Sequence, residues 1–127
     1  RSPMAEAIFN DMAEKNGVCV RAESFGIATS TGLPVSENSV IACKEIGIDL
    51  SGKASTAVAD AGIEKYEKFY CMSQSHAKML MQFFLVQPEK IAVLGISDPY
   101  GGDIDVYRHC RDEIVNSVKE ILKAYEN

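Results

Sequence analysis

No apolar run in this sequence approaches the ~18 residues that a membrane-spanning helix needs. The longest, Lys78 to Val86, is interrupted by Gln82, so a membrane partner is not expected. Clustered cations are missing too: 13 Lys and Arg stand against 18 Asp and Glu, a net charge of -5. Binding to a phosphate backbone needs the reverse balance, so nucleic acid is not expected as a partner. The four cysteines, Cys19, Cys43, Cys71 and Cys110, form no C-x-x-C pair, which removes the usual signals for a metal site or a disulfide framework. Each falls in an apolar strand or helix pattern and is expected to be a buried small hydrophobe in a reducing cytoplasm. The segment before Pro3 has neither the charged nor the apolar region of an export signal, and the first residue is Arg1. That start is not expected to be a translation start.

What is present is the composition of one ordinary globular domain: 127 residues, 46% of them hydrophobic and 24% charged. Met4, Ala5, Ile8, Phe9, Met12 and Ala13 recur at helical spacing, with Ser2 expected as N-cap and Pro3 at the first helical position. Gly17 ends that helix, and Val18, Cys19, Val20, Ala22 and Phe25 read as a strand reaching Gly26. After a polar loop over 29–34, a second helix starts near Ser36 or Glu37, turns Val40, Ile41, Cys43 and Ile46 to the core and stops at Gly47. The stretch 48–59 has no clear period.

Phe69 to Met72 read as a strand, followed by a helix from about Ser73 to Val86 with Ala77, Leu80, Met81, Phe84 and Leu85 on its buried face. Ile91 to Leu94 form another strand. Beyond the turn-rich 97–102, Ile104, Tyr107, Cys110, Ile114, Val118, Ile121 and Tyr125 mark a long last helix. Strands alternating with helices imply an α/β fold whose parallel sheet is covered on both faces. Such a chain normally begins with a strand, so a strand ahead of Arg1 is expected.

The opening Arg1-Ser2-Pro3-Met4-Ala5-Glu6-Ala7-Ile8-Phe9 resembles the end of a C-x5-R-S phosphate loop running into its helix. The likeness continues through Ser24-Phe25-Gly26, Gly47-Ile48-Asp49-Leu50, Met72 with His76, and Asp98-Pro99-Tyr100-Gly101-Gly102. In order and spacing the sequence is similar, over essentially its whole length, to the low-molecular-weight protein tyrosine phosphatases. The segment Asp98 to Ile104 with Tyr107 looks like their bacterial protein-arginine phosphatase branch. The resemblance implies a three-layer sandwich with a four-stranded parallel sheet flanked by helices. Residues 1–127 would then be a single phosphatase domain, incomplete at its N-terminus. The first strand, most of the phosphate loop and the nucleophilic cysteine six residues before Arg1 would lie upstream. Phe25 departs from the family's usual small residue, Lys53 stands where many members have histidine, and Glu67 occupies a usually acidic position.

Residue chemistry agrees with the resemblance. A guanidinium at a helix N-terminus can hold two phosphoryl oxygens while backbone N–H groups face the same anion, which makes Arg1 the expected clamp on phosphate or a similar oxyanion. The resemblance gives Ser2 a second role beside capping, steadying the thiolate. It makes Asp98 the general acid, where residue type alone reads a turn former. Tyr100 would wall the entrance and stack on a substrate ring. Asp103 and Asp105 are explained by the start of the last helix. His76 and His109 are read as structural or surface residues, and the reaction requires no metal or other cofactor.

The leading expectation is hydrolysis of protein phosphotyrosine through a phosphocysteine, with protein phosphoarginine as the rival. An arsenate reductase needs further closely spaced cysteines that Cys71 lacks. A non-catalytic anion-binding module would keep the oxyanion site at the first helix without turnover. A phosphocarrier of sugar transport would use a similar cysteine loop but must keep its phosphocysteine, so an acid at Asp98 favours hydrolysis over that role. Oligomeric state is not legible in the sequence.

Overall fold

The computed structural model describes residues 1–26, 35–52 and 62–125. Its regular elements are α1 (Ser2–Lys15), α2 (Glu37–Lys44), β1 (Phe69–Cys71), α3 (Gln74–Phe83), β2 (Ile91–Val93) and α4 (Ile104–Lys123). The two strands pair in parallel, Phe69 with Ile91, Tyr70 with Ala92 and Cys71 with Val93, and α3 makes the crossover that parallel pairing requires. Beyond the strands the same pattern continues: Leu94 N donates to Cys71 O at 2.8 Å and Ile96 N to Met72 O at 3.0 Å.

Because strand side chains alternate between faces, the sheet serves two cores. Phe69 and Cys71, with Ile91 and Val93 beside them, pack with Ala77, Leu80 and Val86 on the α3 side. Met72 and Ile96 join the larger cluster of Met4, Ile8, Phe9, Ala13, Ala42, Cys43, Tyr107, Cys110, Ile114, Val118 and Leu122 on α1, α2 and α4. Helices therefore lie on both faces, as expected for an α/β chain.

The strand expected from Val18 to Gly26 does not form a ladder. Its side chains do face inward, since Val18, Val20 and Ala22 pack on the larger cluster and Phe25 on the smaller. At Ala22 and Ser24, however, its backbone is bonded by helix side chains, and Gly26 sits in an isolated β-bridge. Ala22 N donates to Asn10 Oδ1 at 2.8 Å, Asn10 Nδ2 donates to Ala22 O at 3.0 Å, and Ser24 N donates to Glu6 Oε1 at 2.8 Å. An extended segment becomes a strand only beside another strand, and at these two residues its partners are α1 side chains instead. Among the described residues the sheet thus has two strands.

Helix limits follow local chemistry. Ala5 N donates to Arg1 O at 3.0 Å, so Arg1 is the N-cap of α1 and Ser2 its first residue, one position earlier than expected. Ser36 and Ser73 cap α2 and α3 through their side chains. Gly17 and Gly47 have φ of 70° and 80°, and the residues after them donate back to Ala13 O and Cys43 O, closing both helices with the left-handed turn that glycine permits.

Some apolar residues expected in the core face outward. Ile41, Ile46, Leu85 and Tyr125 are exposed, Leu85 most of all at 83%, because α3 ends at Phe83 and Leu85 adopts φ 55°. Cys19 is exposed while Cys43, Cys71 and Cys110 are buried, since residue 19 alternates against the inward Val18 and Val20. The loop over 29–34 and residues 53–59 of the aperiodic stretch 48–59, Lys53 among them, lie outside the described residues. Phe25 meets Tyr66 and Phe69 at ring-centroid distances of 5.8 and 6.2 Å. The residue that replaces a small one thus completes an aromatic cluster.

Candidate active site

The carboxyl ends of parallel strands are where open α/β sheets bind ligands, and the N-terminus of α1 arrives at that end. Ile96, which extends β2 past Val93, accepts a hydrogen bond from Arg1 Nη1 at 2.8 Å. The Arg1 side chain is only 13% exposed, so this carbonyl supplies a partner that a desolvated cation requires. Two residues further on, Asp98 Oδ2 lies 3.8 Å from Arg1 Nη2. Residues 97 positions apart in the sequence therefore place a guanidinium and a carboxyl group side by side.

Asp98 itself is held in a tight turn. Its Oδ1 accepts from Tyr100 N at 3.0 Å, an Asx turn of the kind that Asp before Pro favours, and Gly102 N donates to Pro99 O at 2.8 Å. Pro99 is buried and anchors the turn, while the Asp98 side chain remains 62% exposed. Tyr100 is 89% exposed; its backbone braces Asp98 and its ring points into solvent. Ser2 sits next to Arg1, half-buried at the first position of α1. Asp103 caps α4 through a 3.1 Å bond from Val106 N, and Asp105 pairs with Arg108, both as helix-start chemistry predicts.

His76, to which residue type and spacing assign no site role, is half-buried in the first turn of α3, its backbone N bonded to Ser73 Oγ at 3.4 Å. Burial, and then the positive charge of Arg1, push its pKa down, while Asp98 pulls the other way. His76 thus lies within the electrostatic field of both site residues. His109, by contrast, pairs with Glu113 at 3.4 Å on α4. The Ile96 carbonyl left no trace in sequence, because any residue carries one. Burial raises the thiol pKa of Cys43 to about 11 and also raises those of Cys71 and Cys110, which leaves these three weak nucleophiles. Among the described residues no group of three or more His, Cys, Asp or Glu is arranged to hold a metal ion, and no helix is long and apolar enough to cross a membrane.

In this α/β protein a nearly buried arginine at a helix mouth stands beside a loop carboxylate, beyond the carboxyl ends of parallel strands, an arrangement whose guanidinium and helix N–H groups can face an anion. The family follows from comparison: the chain belongs to the low molecular weight phosphotyrosine protein phosphatases, whose family model matches residues 1–127. It is 29% identical to the protein-arginine-phosphatase of Bacillus subtilis over 97% of this chain and 87% of that protein. It is 28% identical to the low molecular weight phosphotyrosine protein phosphatase of Saccharomyces cerevisiae over 97% of this chain and 86% of that one. Among solved structures, a low molecular weight protein tyrosine phosphatase from T. tengcongensis superposes with a TM-score of 0.92 at 27% identity. That match covers 98% of this chain and 90% of the other.

Proposed function

We propose that this protein dephosphorylates proteins through a phosphocysteine, with phosphoarginine as first substrate and phosphotyrosine as second. The observation that carries the phosphatase reading is the 3.8 Å approach of Arg1 and Asp98. The curated relatives named protein-arginine-phosphatase, from Bacillus subtilis and Geobacillus stearothermophilus, support placing phosphoarginine ahead of the phosphotyrosine expected from sequence. The branch-like segment Asp98 to Ile104 with Tyr107 supports the same order. Phosphotyrosine keeps its place through the yeast relative and through Tyr100, whose exposed ring can stack on a phenol.

In this mechanism a cysteine thiolate, which the family pattern puts six residues ahead of Arg1, attacks phosphorus in line. The S–P bond forms as the P–O bond of phosphotyrosine, or the P–N bond of phosphoarginine, breaks. Arg1 and the first N–H groups of α1 hold the equatorial oxygens, and the Ser2 hydroxyl steadies the thiolate. Asp98 donates a proton to the leaving atom, then takes one from the water that attacks the phosphocysteine, releasing phosphate and thiolate. The protein works in the cytoplasm on this reading, where free thiols stay reduced.

Full-length protein is expected to hydrolyse an aryl phosphate in the presence of EDTA, and Asp98→Ala to lower that rate by about 10²-fold or more. Unchanged turnover in Asp98→Ala removes Asp98 from the mechanism. Phosphoarginine and phosphotyrosine peptides compared on one preparation decide the order of substrates, and a higher kcat/KM for phosphotyrosine reverses that order.

A further inference from the structure

The residue ahead of Asp98 is gripped by two side chains that stand one turn apart on α4. Ser97 Oγ donates to Glu113 Oε1 at 2.9 Å, and Cys110 Sγ donates to Ser97 O at 3.7 Å. Positions three apart on a helix share a face, so Cys110 and Glu113 address Ser97 from one side. Cys110 is 1% exposed and acts as a fixed peg in the core. The Glu113 side chain is 30% exposed, and its Oε1 also pairs with His109 Nε2 at 3.4 Å.

The neighbouring backbone is equally constrained. Ile96 is tied to Met72 and Arg1 on one side of Ser97, and Pro99 is buried on the other. Yet the Asp98 side chain is 62% exposed, so packing contributes little to its aim. The bond from Tyr100 N and the approach of Arg1 aim the carboxyl group, both depend on where the backbone places Asp98, and Ser97 is a residue through which α4 holds that backbone.

We propose that Glu113 is a positioning residue for Asp98, acting through the Ser97 hydroxyl. The inference rests on the reading of Asp98 as general acid. It adds a residue that the sequence pattern around Asp98-Pro99-Tyr100 does not contain, because Glu113 belongs to the third turn of α4. Misplacement of a catalytic group by a fraction of an ångström to an ångström is costly, so a bond that trims the freedom of the acid loop acts on rate more than on folding.

The test compares kcat/KM of full-length protein for two aryl phosphates. A nitrophenyl phosphate has a leaving group that departs with little help from an acid, whereas phenyl phosphate needs the proton. Glu113→Ala and Ser97→Ala are each expected to slow phenyl phosphate about five-fold more than nitrophenyl phosphate, the size of effect that one lost net hydrogen bond allows. Glu113→Gln keeps an acceptor for the Ser97 hydroxyl while removing the carboxylate beside His109, and is expected to bring the ratio back near the wild-type value. Equal losses on both substrates, or no loss in either alanine variant, overturn the positioning role. Ser97→Ala, a change at an exposed residue, carries the test where Glu113→Ala fails to fold. Asp98→Ala is measured in parallel: a shifted ratio there with unshifted Glu113→Ala and Ser97→Ala sinks this proposal alone, whereas an unshifted ratio in Asp98→Ala sinks the acid assignment and the proposal together.

Discussion

The Arg1 guanidinium donates from Nη1 to the carbonyl oxygen of Ile96 at 2.8 Å, across 95 positions of sequence. With one nitrogen so occupied, Nη2 is turned toward Asp98, and the planar group is oriented before any anion arrives. Lysine keeps the charge but presents a compact ammonium instead of a fork. Arg1→Lys is therefore expected to fold normally by circular dichroism and to lower kcat/KM for an aryl phosphate by about 10²-fold, in the range for a lost oxyanion donor. Near-wild-type kcat/KM would mean that only the charge matters at this position.

Gly102 stands where the turn from Asp98 meets α4. A Cβ added there would lie 2.8 Å from both Val106 Cβ and Val106 Cγ1 and 3.0 Å from Pro99 O. The β-branched Val106 has little rotamer freedom on a helix, so the turn must move instead. Gly102→Ala is expected to cut turnover about ten-fold or more by displacing Asp98, the direction that proximity arguments require, with α4 intact in the far-ultraviolet spectrum. Full turnover in the alanine variant would show that the turn absorbs the methyl group without moving the acid.

Much of this was legible in the sequence where local chemistry is decisive. Pro3 behind an opening polar residue, glycines at 17 and 47, and serines at 36 and 73 bounded the first three helices to within a residue or a few. Arg1 and Asp98 could be named because arginine at a helix mouth and Asp before Pro are local signals, and the family pattern linked them. The failures are non-local. Whether residues 18–26 become a strand depends on a neighbour, and the side chains of Asn10 and Glu6 answer that question in the structure. The exposure of Leu85 depends on where α3 unwinds, and the field of Arg1 at His76 depends on the crossover that delivers α3 to the site.

The larger core gives a stability prediction independent of chemistry. Ile114 is fully buried on α4 in the cluster that α4 shares with α1 and α2, so truncation leaves a cavity in that core. Ile114→Ala is expected to lower unfolding free energy by about 2–5 kcal/mol, read from urea denaturation at constant slope. A loss under about 1 kcal/mol would indicate that the helices collapse into the gap.

An ion-pair cluster that joins the end of α2 to α4 predicts a pH dependence with a definite sign. Glu45, just past α2, accepts from Arg108 Nη2 at 2.7 Å and Arg111 Nη1 at 2.8 Å, and Arg111 Nη1 also donates to Ala42 O at 3.0 Å. The Arg108 hydrogen bonds lead in holding the Glu45 carboxyl below its ordinary 4.5, with Arg111 adding to them. A carboxyl group whose folded pKa is depressed contributes stability above its unfolded pKa and loses it as pH falls through the folded value. Glu45→Gln should therefore lower Tm at pH 7, and the gap from wild type should narrow progressively below about pH 4.5, the ordinary glutamate range. The Glu45–Arg108 pair is solvent-exposed, so added salt should shrink the pH 7 gap as well. A Tm difference that stays constant from pH 7 down to pH 3 would assign the effect of the substitution to packing instead of charge.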